Sequence, residues 1–131
     1  MSTKKPLENI VREWLSLADD DLQVAKEVAQ GQRWRVMCFL SQQAVEKYIK
    51  TLLIYRQIPF ERTHDIEALI ALLNDAEKLD LKRPEIIDLS DYAVDTRYPG
   101  HEADHLDKSD ADRALEAAIR VSKSIHKALN L

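Results

Sequence analysis

Apolar residues recur at steps of three and four along most of the chain, which is the spacing of one face of an α-helix. The spacing predicts a first helix from Leu7 to Ala29, stopped by Gly31, and a second helix from Arg33 to Gln57. Apolar residues spread around much of the second helix, which predicts a central position among several neighbours. The predicted inner stripe of the first helix is Leu7, Val11, Trp14, Ala18, Leu22, Ala25 and Ala29.

The middle of the chain predicts two shorter helices. Pro59 ends the second helix, because proline disfavours helical geometry in the residue before it. Thr63 is the predicted N-cap of a third helix, whose buried side runs from Ile66 to Leu73. Pro84 suits the first position of a fourth helix that reaches about Val94.

The last third of the chain predicts a loop and then a helix. Residues 95–108 lose periodicity and contain Pro, Gly, His and Asp, which is typical of a loop. The run Ser109–Asp112 resembles a capping box at the start of the last helix. The predicted inner stripe of that helix is Ala111, Leu115, Ala118, Val121, Ile125 and Leu129.

Five helical patterns without a strand pattern predict an all-α fold, an antiparallel up-and-down bundle of four to five helices forming a single domain over residues 1–131. The composition agrees, because 45% hydrophobic residues can form a core, and two Gly and four Pro are too few for a turn-rich β-fold.

The net charge of −4 argues against a globally basic nucleic-acid binder. No apolar run approaches the ~20 residues of a membrane span, and no signal peptide is recognisable, so we expect a cytoplasmic protein.

Cys38 is the single cysteine of the chain. One cysteine excludes an internal disulfide and a cysteine-based zinc cluster. Its apolar neighbours predict a core position rather than a reactive thiolate.

Polar residues interrupt the apolar stripes of the first two helices. Asp21 lies on the inner stripe of the first helix, where a carboxylate needs either a partner on a neighbouring helix or access to solvent. The run from Gln42 to Lys47 has two interpretations: a solvated or subunit-facing polar strip, or a hydrogen-bonding wall for a ligand. Under the second interpretation Asp21, Gln43 and Lys47 are candidate ligand-binding residues.

The run His101-Glu102-Ala103-Asp104-His105 matches the H-E-x-x-H zinc motif letter for letter. That motif requires a helix, which presents both histidines on one face. Here the match follows Pro99-Gly100 in the predicted loop, although His126 is available as a third ligand. A chance match explains it better, and we predict no metal site and no cofactor.

Arg97-Tyr98-Pro99 is the second candidate functional motif in this segment. Arg97 suits a bidentate grip on a phosphate, and Tyr98 suits stacking on a base. The alternative is structural: Arg97 pairs with a buried acid such as Asp21 while Tyr98 packs.

Taken in order along the chain, these pieces resemble a HEPN domain, the helical module named for higher eukaryotes and prokaryotes with nucleotide binding. The resemblance covers nearly the whole chain. The residues that carry it are Trp14, Ala18, Asp21-Leu22 and Ala25, then Cys38-Phe39-Leu40-Ser41-Gln42-Gln43-Ala44-Val45-Glu46-Lys47 with Lys50, then Thr63-His64-Asp65-Ile66, and last Arg97-Tyr98-Pro99.

The resemblance implies a homodimer with a polar site near its interface, and a small nucleotidyltransferase as partner in a toxin–antitoxin-type system. It also implies, for many members, a metal-independent ribonuclease that uses an Arg followed after four to six residues by a His, with nucleotide attached by the partner to a nearby Tyr. Here Arg97 is followed by His101 after three residues and by His105 after seven, so the spacing departs from that motif.

Three functional hypotheses follow. The first is a ribonuclease whose catalytic residues are Arg97 and His101 in a dimer cleft, with RNA or a nucleotide bound beside Tyr98. The second is a non-catalytic module that binds a nucleotide or a protein partner. The third is a zinc hydrolase through His101 and His105.

Overall fold

Five α-helices form the fold in the computed structural model, which describes residues 4–95 and 105–131. Two single 3₁₀ turns, Ala29–Gly31 and Ala76–Leu79, lie between them. No strand occurs within these two ranges, so the predicted all-α bundle is confirmed. The helices are α1 Lys4–Val28, α2 Trp34–Tyr55, α3 Ile66–Ile70, α4 Arg83–Asp95 and α5 Lys108–Leu129.

Helix α2 occupies the centre of the bundle and packs against α1, α3, α4 and α5. It runs antiparallel to α1, since Leu7 near the start of α1 lines the same cavity as Tyr55 at the end of α2. The predicted central position of this helix is therefore confirmed. Its largest fully buried side chains are Tyr48, Met37, Ile49 and Leu53.

The inner faces of α1 and α5 follow most of the predicted stripes. In α1, however, Leu7 and Trp14 are only half-buried, Ala29 lies beyond the end of the helix, and Leu15, which the pattern did not include, is buried. Small residues recur on both inner faces, and Ala18 and Ala118 have no exposed surface. Small side chains leave room for helix backbones to approach closely, while the larger residues between them fill the core. Only Leu115 of the predicted α5 stripe is half-buried instead of buried.

A Schellman motif ends α2. The amide of Ile58 donates to the carbonyl of Leu53 at 2.9 Å, and the amide of Gln57 donates to that of Ile54 at 3.0 Å. Gln57 takes the left-handed conformation that this motif needs, with φ 57°. Pro59 follows the motif. Helix α2 ends at Tyr55, two residues before the predicted end at Gln57.

Two predicted helix starts are wrong by two residues. Asp65, not Thr63, caps α3 by accepting from the amide of Ala68, and Thr63 instead accepts from the amide of Asp65. Helix α3 also ends early, at Ile70. Turns replace the helix that was predicted to continue to Leu73. The capping box of α5 pairs Asp107 with Asp110 rather than starting at Ser109.

Helix α4 begins at Arg83 with Pro84 in its first turn and extends through Asp95. The predicted loop over residues 95–108 is thus shortened at both ends, because Lys108 already belongs to α5. Residues 96–104 of that predicted loop lie outside the described residues.

Candidate functional site

A buried row of polar side chains lies along α2. Gln42, Glu46 and Lys50 follow one another at four-residue steps, and all three are less than a tenth exposed. Gln42 donates to Glu46 at 3.0 Å, and Lys50 Nζ lies 3.2 Å from the other carboxylate oxygen of Glu46. The interpretation of the run from Gln42 to Lys47 as a solvated or subunit-facing strip is therefore wrong at Gln42 and Glu46.

The segment between α2 and α3 covers this row. The ring of Phe60 lies 6.0 Å from Lys50 Nζ, a cation–π contact, and His64 Nδ1 lies 2.9 Å from Glu46 Oε1. Glu46 thus has three polar partners, which a carboxylate held away from water needs. This segment shields the polar face of α2 from solvent, so that Gln42, Glu46 and Lys50 form a buried network.

His64 differs from the rest of the network, because it reaches the surface. Its side chain is 54% exposed, whereas that of Glu46 is 4% exposed. A carboxylate only accepts hydrogen bonds, so His64 Nδ1 carries the proton and donates. Nε2 of His64 has no hydrogen-bond partner within residues 4–95 and 105–131.

A cleft of about 460 Å³ opens beside His64. On one side are the residues that start α3, and on the other is the last part of α4. The amide of Glu67 donates to Ser90 Oγ at 3.3 Å, which ties the two sides together. The lining residues are Thr63, His64, Asp65, Glu67, Ser90, Asp91 and Ala93.

Asp21 and Lys47, two of the predicted ligand-binding residues, meet between α1 and α2. Lys47 Nζ lies 2.6 Å from Asp21 Oδ2, and both side chains are between a fifth and a quarter exposed. The partner that Asp21 requires is thus on the neighbouring helix. Gln43, the third of this set, donates to Gln42 Oε1 at 2.8 Å and so joins the end of the buried row.

A second polar group joins α1, α2 and α5 through Asp19. The Asp19 carboxylate accepts from the hydroxyl of buried Tyr48 and from His126 Nε2, the latter at 2.9 Å. Burial, followed by the hydrogen bond to Asp19, raises the pKa of Tyr48 well above 10. His126 is the residue considered above as a third zinc ligand, and its Nδ1 also lies 3.1 Å from the main-chain oxygen of Leu131.

Arg97, Tyr98 and His101 lie outside the described residues, so their predicted roles rest on the sequence. Arg97 comes two positions after Asp95, the last residue of α4, and α4 lines the cleft through Ser90, Asp91 and Ala93. In the described part of the chain, no three His, Cys, Asp or Glu side chains converge as a metal site.

The family model for the HEPN domain matches residues 11–128. The chain belongs to the HEPN family. The match covers α2, α3 and α4 completely and most of α1 and α5, and it includes the cleft beside His64 and the polar row of α2.

Two solved structures resemble this HEPN protein closely. An archaeal HEPN homologue aligns with a TM-score of 0.73 and 27% identity, covering 91% of this chain and 97% of its own. A protein from Thermus thermophilus aligns with a TM-score of 0.74 and 27% identity, covering 89% and 96%. No curated protein matches significantly. No described helix has the length and apolarity needed to cross a bilayer.

Sequence patterns alone did not single out His64, Asp19 or Tyr48 as site residues. For His64 one signal was available: Glu46 lies on a helix with apolar residues all round, and a carboxylate there needs donors. Periodicity cannot name the donor, because it belongs to an irregular segment 18 residues further along.

Proposed function

We propose that this HEPN protein is one partner of a nucleotidyltransferase-linked toxin–antitoxin-type system, and that it acts on or binds RNA or a nucleotide at a cleft in a homodimer. The match over residues 11–128 carries the proposal. The cleft beside His64 supports it, because the helix that lines this cleft leads directly to Arg97-Tyr98-Pro99. The whole chain, residues 1–131, acts as one domain in this proposal.

In this proposal Arg97 binds a phosphate group and Tyr98 stacks on a base or is itself modified. A guanidinium matches the geometry of phosphate oxygens with two parallel hydrogen bonds. His101 is the nearest histidine after Arg97 and would exchange a proton with the sugar or the leaving oxygen. Asp21, Gln43 and Lys47 extend the polar surface between α1 and α2.

A second candidate function is binding without catalysis. Three residues separate Arg97 from His101, one fewer than the nuclease pattern requires, and the net charge is −4. Counterion release by Lys and Arg contacts drives tight RNA binding, and a net charge of −4 favours such binding less than a basic surface would. A module that holds a nucleotide or a protein partner fits these two facts.

Homodimer formation is the third element of the proposal. Ile10, Leu17 and Val24 recur every seven residues along α1, and each is 40–50% exposed. Residues spaced by seven lie in one line on a helix surface, about 10 Å apart, so a second copy can cover all three apolar side chains together. We define these three residues as the α1 stripe.

The test is incubation of the purified protein with total RNA in excess chelator, comparing wild type with Arg97→Ala. Cleavage by wild type alone supports the ribonuclease form of the proposal. Intact RNA in both samples, together with Arg97-dependent nucleotide binding, supports the binding module. Cleavage that disappears with chelator and returns with zinc contradicts both forms, because it requires a metal.

A further inference from the structure

The α1 stripe alone offers too little surface to hold two copies together. From Ile10 to Val24 the helix rises about 21 Å, and a helix with its side chains is about 10 Å wide, so the stripe presents roughly 200 Å² per copy. A specific protein–protein interface buries about 800 Å² on each partner. The homodimer of the proposed function therefore needs a second element beside α1.

An acidic row borders the α1 stripe on one side. Glu13, Asp20 and Glu27 each follow a stripe residue by three positions, and all three are exposed. Two α1 helices packed antiparallel, stripe on stripe, would bring the two acidic rows together, and repulsion between like charges opposes that arrangement. The contact between two copies must therefore extend from the stripe in the other direction, away from this row.

The other side of the stripe leads to α2. Trp14, Asp21 and Val28 form the next row of α1, because each follows a stripe residue by four positions, and all three are half-buried. Lys47 Nζ of α2 lies 2.6 Å from Asp21 Oδ2, so an ion pair joins this row to the neighbouring helix. The open surfaces of α1 and α2 are therefore continuous at this point.

Four residues of α2 that keep some exposed surface lie on one line, since they are spaced by four, three and four positions. They are Val36, Leu40, Gln43 and Lys47. We define the α1–α2 face as the α1 stripe, the row of Trp14, Asp21 and Val28, and this line on α2. Two helices side by side over about 30 Å of length present roughly 600 Å² per copy, which approaches the area that a stable dimer buries.

The centre of the α1–α2 face carries one charge of each sign. The side chains of Asp21 and Lys47 are between a fifth and a quarter exposed, and exposed Leu17 and Val24 lie one turn before and one turn after Asp21. A two-fold interface brings the same patch of both copies together, so the patch must complement itself. Two opposite charges with apolar neighbours meet this requirement, whereas a patch of one sign does not.

We propose that a second copy packs against the α1–α2 face, with the Asp21–Lys47 pairs of the two copies opposite each other at its centre. The proposal rests on the homodimer of the proposed function and assigns its surface. Apolar residues of both helices supply the contact area, and the charges fix how the two copies align.

The test uses the full chain with two single variants, Asp21→Lys and Lys47→Glu. The first places two positive charges at the centre of the face and the second two negative charges, so each variant repels its own copies. Both side chains reach solvent, so we expect both variants to fold, as circular dichroism can check. In sedimentation equilibrium each should dimerise more weakly than wild type, by roughly tenfold or more.

An equimolar mixture of the two variants should restore the dimer, because two positive charges on one copy then face two negative charges on the other. Labelling one variant with ¹⁵N lets native mass spectrometry distinguish the heterodimer from both homodimers. We expect the heterodimer to exceed the share that random pairing gives. Charges that lie outside the interface would produce no such excess.

Val36→Glu tests the part of α2, and Ile87→Glu is its matched control, since Ile87 is 42% exposed on α4, outside the face. Val36→Glu should weaken the dimer by roughly tenfold, and Ile87→Glu should leave it unchanged. Dimeric Asp21→Lys and Lys47→Glu, a mixture without excess heterodimer, or a Val36→Glu as dimeric as the control overturns the α1–α2 face, while a dimeric wild type keeps the homodimer. A monomeric wild type removes the homodimer itself, and the face falls with it.

Discussion

His126 and Asp19 lie 107 positions apart in the sequence and are joined by a hydrogen bond of 2.9 Å between Nε2 and Oδ1. Both ring nitrogens of His126 face oxygens, because Nδ1 lies 3.1 Å from the main-chain oxygen of Leu131. Carboxylate and carbonyl oxygens only accept, so both contacts are satisfied together when the ring is protonated. This pair closes the bundle by joining α1 to the end of α5.

The charge state of His126 should make folding stability depend on pH. Burial lowers its pKa, but the hydrogen bonds to Asp19 and Leu131 outweigh burial, and the pKa is raised above 6.5. A raised pKa means that the contribution is fully present below 6.5 and is lost as pH rises through the folded-state pKa. We expect wild type to exceed His126→Gln in free energy of unfolding by more at about pH 5.5 than at about pH 8.5, measured by urea denaturation.

Lys123→Gln is the control for this prediction, because it removes an exposed cation from the same helix. Its difference from wild type should vary little between the two pH values. An equal difference for His126→Gln at both pH values would show that folding does not raise the pKa of His126.

The buried Glu46–Lys50 pair predicts a large effect of removing one partner. Glu46→Ala leaves the Lys50 ammonium, which is 7% exposed, without a carboxylate. Breaking a buried ion pair in this way costs about 3–5 kcal/mol in the free energy of unfolding. Urea denaturation of the single variant should show this loss.

The matched experiment replaces both partners, as Glu46→Leu with Lys50→Met. No charge is then left buried, and most of the lost stability should return. If the double variant is as unstable as Glu46→Ala, the loss comes from packing and the covering segment rather than from the orphaned charge.

The helices of this fold could be predicted from sequence because their signal is local and periodic. Ala18, Val121 and Ile125 fall on the stripes that the structure buries. Helix ends were less predictable, because several capping residues compete within a few positions. Asp65 and Asp107 cap α3 and α5, and each lies two residues from the residue that the pattern favoured.

The candidate site could be predicted only in part, for a different reason. The four-residue step from Glu46 to Lys50 is visible in the sequence and predicts their contact. The burial of that pair, and its link to His64, depends on how the irregular segment after α2 folds back over the helix. Such a contact has no period, so the pattern of α2 alone could not distinguish a buried row from a solvated one.

Cys38 should be unreactive in the folded protein. Burial raises the pKa of its thiol to about 12, and the nearby negative charge of Asp110 adds to the effect. The thiolate is the reactive form, so a folded protein at about pH 8 contains almost none of it. We expect a thiol-specific disulfide reagent to label Cys38 slowly in buffer and completely in denaturing urea. Rapid labelling in buffer would mean that the start of α2 opens readily.

The α1 stripe predicts which substitution separates the proposed dimer. Leu17 is 50% exposed, so Leu17→Glu should not disturb the core of the chain. In a dimer that covers the stripe, however, the new carboxylate becomes buried without a partner, and the dimer should weaken by at least tenfold. Sedimentation equilibrium of wild type should give twice the 15.1 kDa chain mass, and Leu17→Glu should give a value near 15.1 kDa at the same concentration.

Gln23→Glu adds the same charge to α1 at an exposed polar position and should remain dimeric. A dimeric Leu17→Glu would place the interface on another face, and a monomeric wild type would remove the dimer from the proposed function.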